Sequence, residues 1–281
     1  MKDLLSIAAL SIKDIEQTFQ LARKLKNGYL PNFAGITSAY SFEGNSLRTR
    51  ATFLKAMARL EITAIELPNL LKTNEDKTHL AGYVDQWMNL YIIRESNHEI
   101  LETFADASQR PVVNAMSSQE HPWEVLSDAF YLSERLGSLQ QLKVCLVGPD
   151  TNVLRSWREL CELLQIEYVQ VCPEGEKASH QKYIVHSLVE GIQGADVILT
   201  DHWPDGSFEL EYQVTLDKLQ FAAPQALVIP CPPFDTRQEI HAEVIASPYF
   251  AGFEQKRDLY VVHQAILVHL LGDNPTKPRG S

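Results

Sequence analysis

Hydrophobic positions along this chain change period again and again, from near 3.6 to short unbroken runs and back. In SIKDIEQTFQLARKLK the apolar residues fall at 12, 15, 19, 22 and 25, one face of a helix. Ser11 stands where an N-cap belongs, with Asp14 three residues on. A short apolar run, ITSAYSF (36–42), predicts a strand, and RATFLKAMARLE has the composition of a helix. VDQWMNLYIIR reads as helix or loop entering a strand that ends at Arg94. HEILETFADAS predicts a helix and PVVNAM a strand. PWEVLSDAFYLSERLG predicts a helix with proline in its first turn and glycine at its end.

The alternation continues. KVCLVG reads as a strand, VLRSWRELCELLQ as a helix, EYVQVC as a strand and QKYIVHSLVEGIQ as a helix. DVILTD and ALVIPC are two more strands, and KRDLYVVHQAILVHLL is a last long helix. Strands that alternate with helices predict an α/β protein with parallel sheets. The boundary between two halves is expected near 132–142. The tail NPTKPRGS, rich in proline and glycine, is expected to be disordered.

Composition narrows the classes. The chain has 281 residues, 45% of them hydrophobic, and a formal net charge of -11. That length holds one large domain or two of ordinary size. No apolar run is long enough to span a membrane. The N-terminal MKDLLSIAALSIKD is broken by polar residues and runs into an amphipathic pattern, so it reads as mature protein. An acidic chain without a basic stripe argues against nucleic acid as a partner. A small anion is still admissible, since a local cationic cluster outweighs global charge at contact distance. The cysteines, Cys145, Cys161, Cys172 and Cys231, lack metal-ligand spacing. Cys145 lies in an apolar run and reads as a buried thiol, which fits a reducing cytoplasm. No metal or cofactor is expected.

Ligands of open parallel sheets bind at the carboxyl ends of strands. Those ends carry SFEGNSLRTR, RESN and NAMSSQEHPWE in the first half. In the second half they carry GPDTN, TDHWPDG and PCPPFDT. Ser46-Leu47-Arg48-Thr49-Arg50 opens a helix, where unpaired N–H groups and the helix dipole favour an anion. Ser46 and Thr49 add hydroxyls and Arg48 a bidentate fork, giving a phosphate cradle without P-loop glycines. The bland alternative is a capped helix with two solvated arginines. His121 precedes a helix containing Pro122, Glu124 and Asp128. Its imidazole there can donate to a carbonyl or phosphoryl oxygen; the bland alternative is a helix cap with Asp128 in a solvated turn.

Taken in order, SLRTRATF, the strand end at Arg94, HPWEVLSD, VGPDTNV and PCPP resemble the aspartate/ornithine carbamoyltransferase family, the ornithine branch more closely. The resemblance runs from the first helix to HQAILVHLL. The family's S-T-R-T-R is here Ser46-Leu47-Arg48-Thr49-Arg50, and its H-P-x-Q-x-L-x-D is here His121 through Asp128. It implies two doubly wound parallel-sheet domains and a homotrimer with sites at subunit interfaces. The carbamoyl-phosphate domain would span 1–132, with helix 256–272 packing back on it. The acceptor domain would span 133–255, followed by the tail 273–281. The implied reaction is attack of an amine on the carbamoyl carbon with loss of phosphate.

The resemblance also implies roles. Ser46, Leu47, Arg48, Thr49, Arg94, His121 and Glu124 would meet carbamoyl phosphate, with Arg48, Arg94, His121 and Cys231 catalytic. Asn152, Asp201, His202, Cys231 and Pro232 would meet the acceptor. The loop 69–77 matches a segment that reaches a neighbour's site, so Lys72 or Lys77 would act in trans.

Departures from the pattern concentrate on the acceptor side. Leu47 replaces a threonine and Glu124 a glutamine. PCPP lacks the histidine and leucine of H-C-L-P, and Leu259 falls where the ornithine branch has an arginine, with Arg257 two residues earlier. D-x-W-x-S-M-G is reduced to Asp201-His202-Trp203-Pro204-Asp205-Gly206. His202, Asp205, Asp235 and Arg237 are the polar groups left in those loops. The expectation is a carbamoyltransferase whose acceptor is not standard ornithine or aspartate. The competing readings are a non-catalytic paralogue acting as a phosphate-ligand binder, scaffold or regulatory trimer, and a transferase for a related acyl phosphate.

Overall fold

The structure, a computed structural model, describes residues 1–175, 183–204 and 206–272. Asp205, the segment 176–182 and the tail 273–281 lie outside the described residues. The described chain divides into two compact units, residues 1–130 with 258–272, and residues 131–257.

The first unit is built on four parallel strands: β1 (Thr37–Phe42), β2 (Thr63–Glu66), β3 (Leu90–Arg94) and β4 (Val112–Met116), in the order β2-β1-β3-β4. Apart from its last residue, β3 is wholly buried, as its run of apolar residues requires in a sheet covered on both faces. β2, at the edge, is exposed along its length, and no periodic signal marks it in the sequence. Helices α1 (Ile12–Lys26), α2 (Leu47–Arg59), α3 (Lys77–Val84) and α4 (His98–Ala107) alternate with the strands. Helix α5 (Pro122–Leu136) carries the chain from the first unit into the second.

Ser11 caps α1 with a full capping box: its Oγ accepts from Asp14 N–H at 3.2 Å, and Asp14 Oδ2 accepts from Ser11 N–H at 3.0 Å. The last helix, which we call α11 (Leu259–Leu271), is apolar nearly all round and accordingly buried, packed on α1 and α2. Its His263 lies inside an aromatic cluster, stacked 3.9 Å from Phe53 of α2 and 4.5 Å from Trp123 of α5. Trp123 is in turn 4.8 Å from the ring of His121.

The second unit has five parallel strands: β5 (Lys143–Val147), β6 (Glu167–Val171), β7 (Ile184–Val185), β8 (Val197–Thr200) and β9 (Leu227–Pro230), in the order β7-β6-β5-β8-β9. Long helix α6 (Asn152–Leu164) follows β5. Short helices α7 (Leu188–Ile192), α8 (Leu216–Leu219), α9 (Ala242–Ile245) and α10 (Gly252–Gln255) complete the unit. The helix expected over 181–193 is corrected here. Ile184–Val185 pairs with Gln170–Val171 of β6, and the helix begins only after Ser187, whose hydroxyl accepts from Glu190 N–H. The β-branched pair favours the pleated surface, and Ser187 starts a new helix at its cap.

Both strand orders start at a central strand, β1 or β5, and wind outward in two directions. Right-handed crossovers then put successive helices on opposite faces, so the loops after β1 and β3, and those after β5 and β8, part at the carboxyl edge. Cys145 is a buried thiol within β5, and burial pushes it up to about 12. Among the described residues no helix is long and apolar enough to cross a membrane.

Two consequences can be measured. Gly191 lets α7 sit against the sheet: a Cβ there would stand 2.1 Å from Val171 Cγ2 and 3.3 Å from Cys145 Sγ. Gly191→Ala should therefore lower the free energy of unfolding by about 1–3 kcal/mol through overpacking; an unchanged denaturation midpoint would contradict that contact. At the edge of the first sheet, Lys72 Nζ lies 2.7 Å from Glu43 and 2.5 Å from Glu95. Burial raises the Glu43 carboxyl, but the Lys72 ammonium and the Ser96 N–H outweigh it and leave it below its ordinary value. A depressed carboxyl stabilises the fold above its unfolded-state pKa and stops doing so as pH falls through the folded value. Lys72→Met should cost roughly 1 kcal/mol at pH 7, both Lys72 and Glu43 being partly screened by solvent. The gap to the parent should narrow as pH drops below about 4. Thermal melts with a constant gap from neutral to acid pH would overturn the pairing.

Candidate functional site

The first polar constellation stands at the carboxyl edge of β1, β3 and β4. After Phe42 the chain turns through Glu43–Asn45, and Ser46 takes a left-handed conformation, φ 37°. Its hydroxyl donates to the Glu43 carbonyl at 2.6 Å, so it closes the turn and makes no side-chain cap on α2. The first-turn N–H groups of α2 therefore receive no acceptor from their own N-cap side chain, the arrangement an anion completes. Arg48 is exposed on this first turn, Thr49 is buried, and Leu47 leaves 74% of its surface in solvent.

The two arginines of SLRTR have different duties. Arg50 Nη1 pairs with Glu66 of β2 at 2.5 Å, and its guanidinium lies 5.8 Å from the Tyr40 ring and 5.5 Å from that of Phe42. It fastens the helix start to the sheet, while Arg48 is the one turned outward.

Arg94 ends β3 directly beside Phe42 in the sheet register, and its other neighbour is Met116 of β4. The pairing slips between Ile93 and Arg94, and Met116 carries φ 141°, a strained value for a residue with a side chain. Both irregularities fall where the polar loops begin. Beyond β4, His121 is buried just ahead of α5, and Glu124 is buried in the first turn of that helix. Asp128, placed in a solvated turn by the bland reading, is instead buried inside α5. The helix continues without a break through this position and is buried on all sides from Pro122 to Leu132.

Sequence reasoning missed the carboxylates that surround these groups. Glu43 follows β1 and also accepts from Ser96 N–H at 2.8 Å. Glu95 is buried next to Arg94 and accepts from Asn97 N–H at 2.9 Å. Glu43 first, then Glu95, hold the Lys72 ammonium above its usual value. Lys72 is thus engaged by two carboxylates of its own chain. Lys77 Nζ donates to the Thr73 and Glu75 carbonyls, at 2.6 and 3.0 Å.

The second constellation stands at the carboxyl edge of β5, β8 and β9. Gly148, at φ 138°, follows β5, and a Cβ there would stand 3.2 Å from Leu154 Cδ1 and 3.6 Å from Trp203 Nε1. Thr151 caps α6 by accepting from Leu154 N–H at 3.3 Å. Asp201, directly after β8, is bonded by the Thr151 hydroxyl, its neighbour's N–H at His202, and the Cys231 thiol. Burial is the largest influence on its carboxyl and these donors only partly offset it, so the group lies above the ordinary carboxylate range. The fold therefore brings Cys231 and Thr151 together on Asp201; Asp201 and Cys231 were singled out in the sequence, and Thr151 was not. Its position ahead of the apolar pattern of α6 was the cap signal that marks it.

Asn152, the first residue of α6, is half-buried, with Oδ1 2.9 Å from Val153 N. Pro232 is half-buried and joined to Pro233 by a cis bond. Asp150 of the same loop is bound at 2.9 Å by both Arg155 and Arg158 of α6. His202 is exposed, and Glu239 is buried beside it. Asp235 and Arg237 close on each other at 2.7 Å, which holds the Asp235 carboxyl down at about 2. Leu259 is buried at the start of α11, and Arg257 is an exposed partner of Glu254 at 3.4 Å.

Comparison with known proteins bears on both constellations. A family model for the carbamoyl-P binding domain of aspartate/ornithine carbamoyltransferases matches residues 2–134, and one for the Asp/Orn binding domain matches residues 140–270. An ornithine carbamoyltransferase of Syntrophus aciditrophicus is 31% identical, the alignment covering 96% of this chain and 99% of that protein. One of Methanopyrus kandleri is 30% identical over 96% and 97%. The crystal structure of ornithine carbamoyltransferase from Thermus thermophilus superposes with a TM-score of 0.90 at 28% identity, covering 97% of this chain and 99% of that one. With both domain models matched in order and relatives aligned nearly end to end, the chain belongs to the aspartate/ornithine carbamoyltransferase family, on the side of its ornithine carbamoyltransferases.

Proposed function

We propose that this chain moves the carbamoyl group of carbamoyl phosphate to an amine of an amino-acid-like acceptor and releases phosphate. The observation that carries the reading is the edge of the first sheet. There an uncapped helix start, an outward Arg48, the strand end at Arg94 and His121 stand on adjoining strands. Helix N–H groups, Ser46, Arg48 and Thr49 would receive the phosphate. Arg94 would bridge phosphate and carbonyl oxygens, and His121 would donate to the carbonyl. No covalent enzyme intermediate is required. Positioning lowers the entropic barrier, and the cations stabilise charge that grows on the carbonyl and leaving oxygens. Glu124, in place of glutamine, would accept from the carbamoyl NH2. Its charge in a desolvated site demands a proton or a cation beside it.

The acceptor would bind through Asn152, Asp201, Cys231 and Pro232, with Thr151 holding Asp201. Leu259 supplies no cation, and Asp235 and Arg237 satisfy each other, so the acceptor is not read as standard ornithine or aspartate. A homotrimer in the cytoplasm is the assembly and location that this reading carries with it. Lys72, paired with Glu43 and Glu95, is read as serving its own chain's cradle. A non-catalytic paralogue that only binds a phosphate ligand is favoured by one observation, the buried Glu124 carboxylate.

Calorimetric titration of carbamoyl phosphate, with inorganic phosphate and acetyl phosphate as controls, tests the cradle. The parent should prefer carbamoyl phosphate, and Arg48→Ala should weaken its binding roughly ten- to hundred-fold, the worth of one charge-assisted contact. The fold should be unaffected, because Arg48 is exposed. Equal affinities in parent and variant would overturn the assignment of Arg48.

A further inference from the structure

The acceptor unit holds a buried carboxylate, Glu239, with one oxygen that neither the fold nor the proposed binding roles use. Glu239 leaves 0% of its side chain in solvent, and His202 beside it leaves 58%. Glu239 is fixed from two directions. Its carbonyl accepts from Val214 N–H at 3.0 Å, and its Oε2 accepts from Asp235 N–H at 2.6 Å. Its Oε1 is buried and has no hydrogen-bond partner among the described residues, while His202 Nδ1 lies 3.4 Å away. A buried carboxylate oxygen without a donor is costly, so the imidazole N–H is the group that this oxygen awaits. His202 also directly follows Asp201, at the end of β8 where the acceptor amine is read to bind.

We propose that Glu239 and His202 form a general-base dyad that deprotonates the acceptor, an inference that rests on the carbamoyl-transfer reading. Amines of amino acids are mostly ammonium at neutral pH and carry no lone pair for attack. Glu239 holds Nδ1–H, which leaves Nε2 as the basic atom and stabilises the imidazolium that forms. His202 takes one proton from the ammonium. The amine lone pair then forms the N–C bond to the carbamoyl carbon, and the C–O bond to phosphate breaks with its electron pair on the leaving oxygen. The second amine proton ends on phosphate, giving hydrogen phosphate, and the imidazolium returns its proton to water. His202 is the catalytic residue, and Glu239 is a positioning residue. The other charged groups at this corner are Asp201, which accepts from the His202 N–H, and the Asp235–Arg237 pair.

The test is phosphate release from carbamoyl phosphate by the full chain, with ornithine, lysine and their Nα-acetyl derivatives as acceptors, across a pH range. His202→Gln should lower kcat about 10²–10⁴-fold and remove the acid limb of the kcat/KM profile. Glu239→Gln keeps the acceptor for Asp235 N–H and turns its NH2 group to Nδ1, which favours the tautomer with the proton on Nε2, so kcat should fall while KM for the acceptor stays near the parent's. Circular dichroism and carbamoyl phosphate binding equal to the parent's show that each variant is folded. If the parent turns over an acceptor while folded His202→Gln keeps both its rate and its acid limb, the dyad is overturned and the transfer reading stands. If the parent binds carbamoyl phosphate yet turns over none of these acceptors nor any amine of a wider amino-acid mixture, the transfer reading falls and the dyad with it.

Discussion

In each unit the chain starts a parallel sheet at its middle and must then build outward in both directions. That reversal is the constraint on which the rest depends. Loops on either side of it leave the carboxyl edge in opposite senses and open a crevice between them. In the first unit the reversal lies between β1 and β3, where Glu43 and Ser46 follow β1, Arg48 opens α2, Arg94 ends β3 and Glu95 follows it. In the second it lies between β5 and β8, where Thr151 meets Asp201. The apolar strands make these edges rigid. The strained φ of Ser46 and Met116, and the positive φ that glycine permits at 148, show where chain direction has been subordinated to the loops.

Charge at the first edge is balanced. Arg48, Arg94 and Lys72 are set among Glu43, Glu95 and Glu124 in a chain whose net charge is -11. Lys72 pairs with two carboxylates and Arg50 with Glu66, and Arg48 is exposed at the helix start. Selectivity at such an edge comes from geometry: helix N–H groups and a guanidinium fork fit a phosphoryl group. At the second edge the logic is reversed. Asp201 is held by neutral donors, and burial raises its carboxyl above the ordinary value.

Much of this was legible in the sequence because it depends on local signals. Alternating periods gave the α/β class, Ser11 and Asp14 announced the capping box, and the polar clusters lay at the strand ends where Arg48, Arg94, Asp201 and Cys231 stand. What escaped depends on distant partners. β2 is too short and too exposed to carry an apolar pattern, and it exists because β1 is there to pair with it. Ile184–Val185 is a strand only beside β6. Lys72 looks like any loop lysine until Glu43 and Glu95 are folded against it. Glu239 looks like a surface residue of TRQEI until the Asp235 turn buries it.

The central claim is group transfer from carbamoyl phosphate to an amine, and product analysis tests it most directly. The protein would be incubated with ¹³C-carbamoyl phosphate and a mixture of amino acids and their N-acylated forms, and products would be read by mass spectrometry against phosphate released. The account predicts one or a few labelled ureido products, equimolar with phosphate and absent without protein. Saturating carbamoyl phosphate binding with no labelled product from any amine would contradict it.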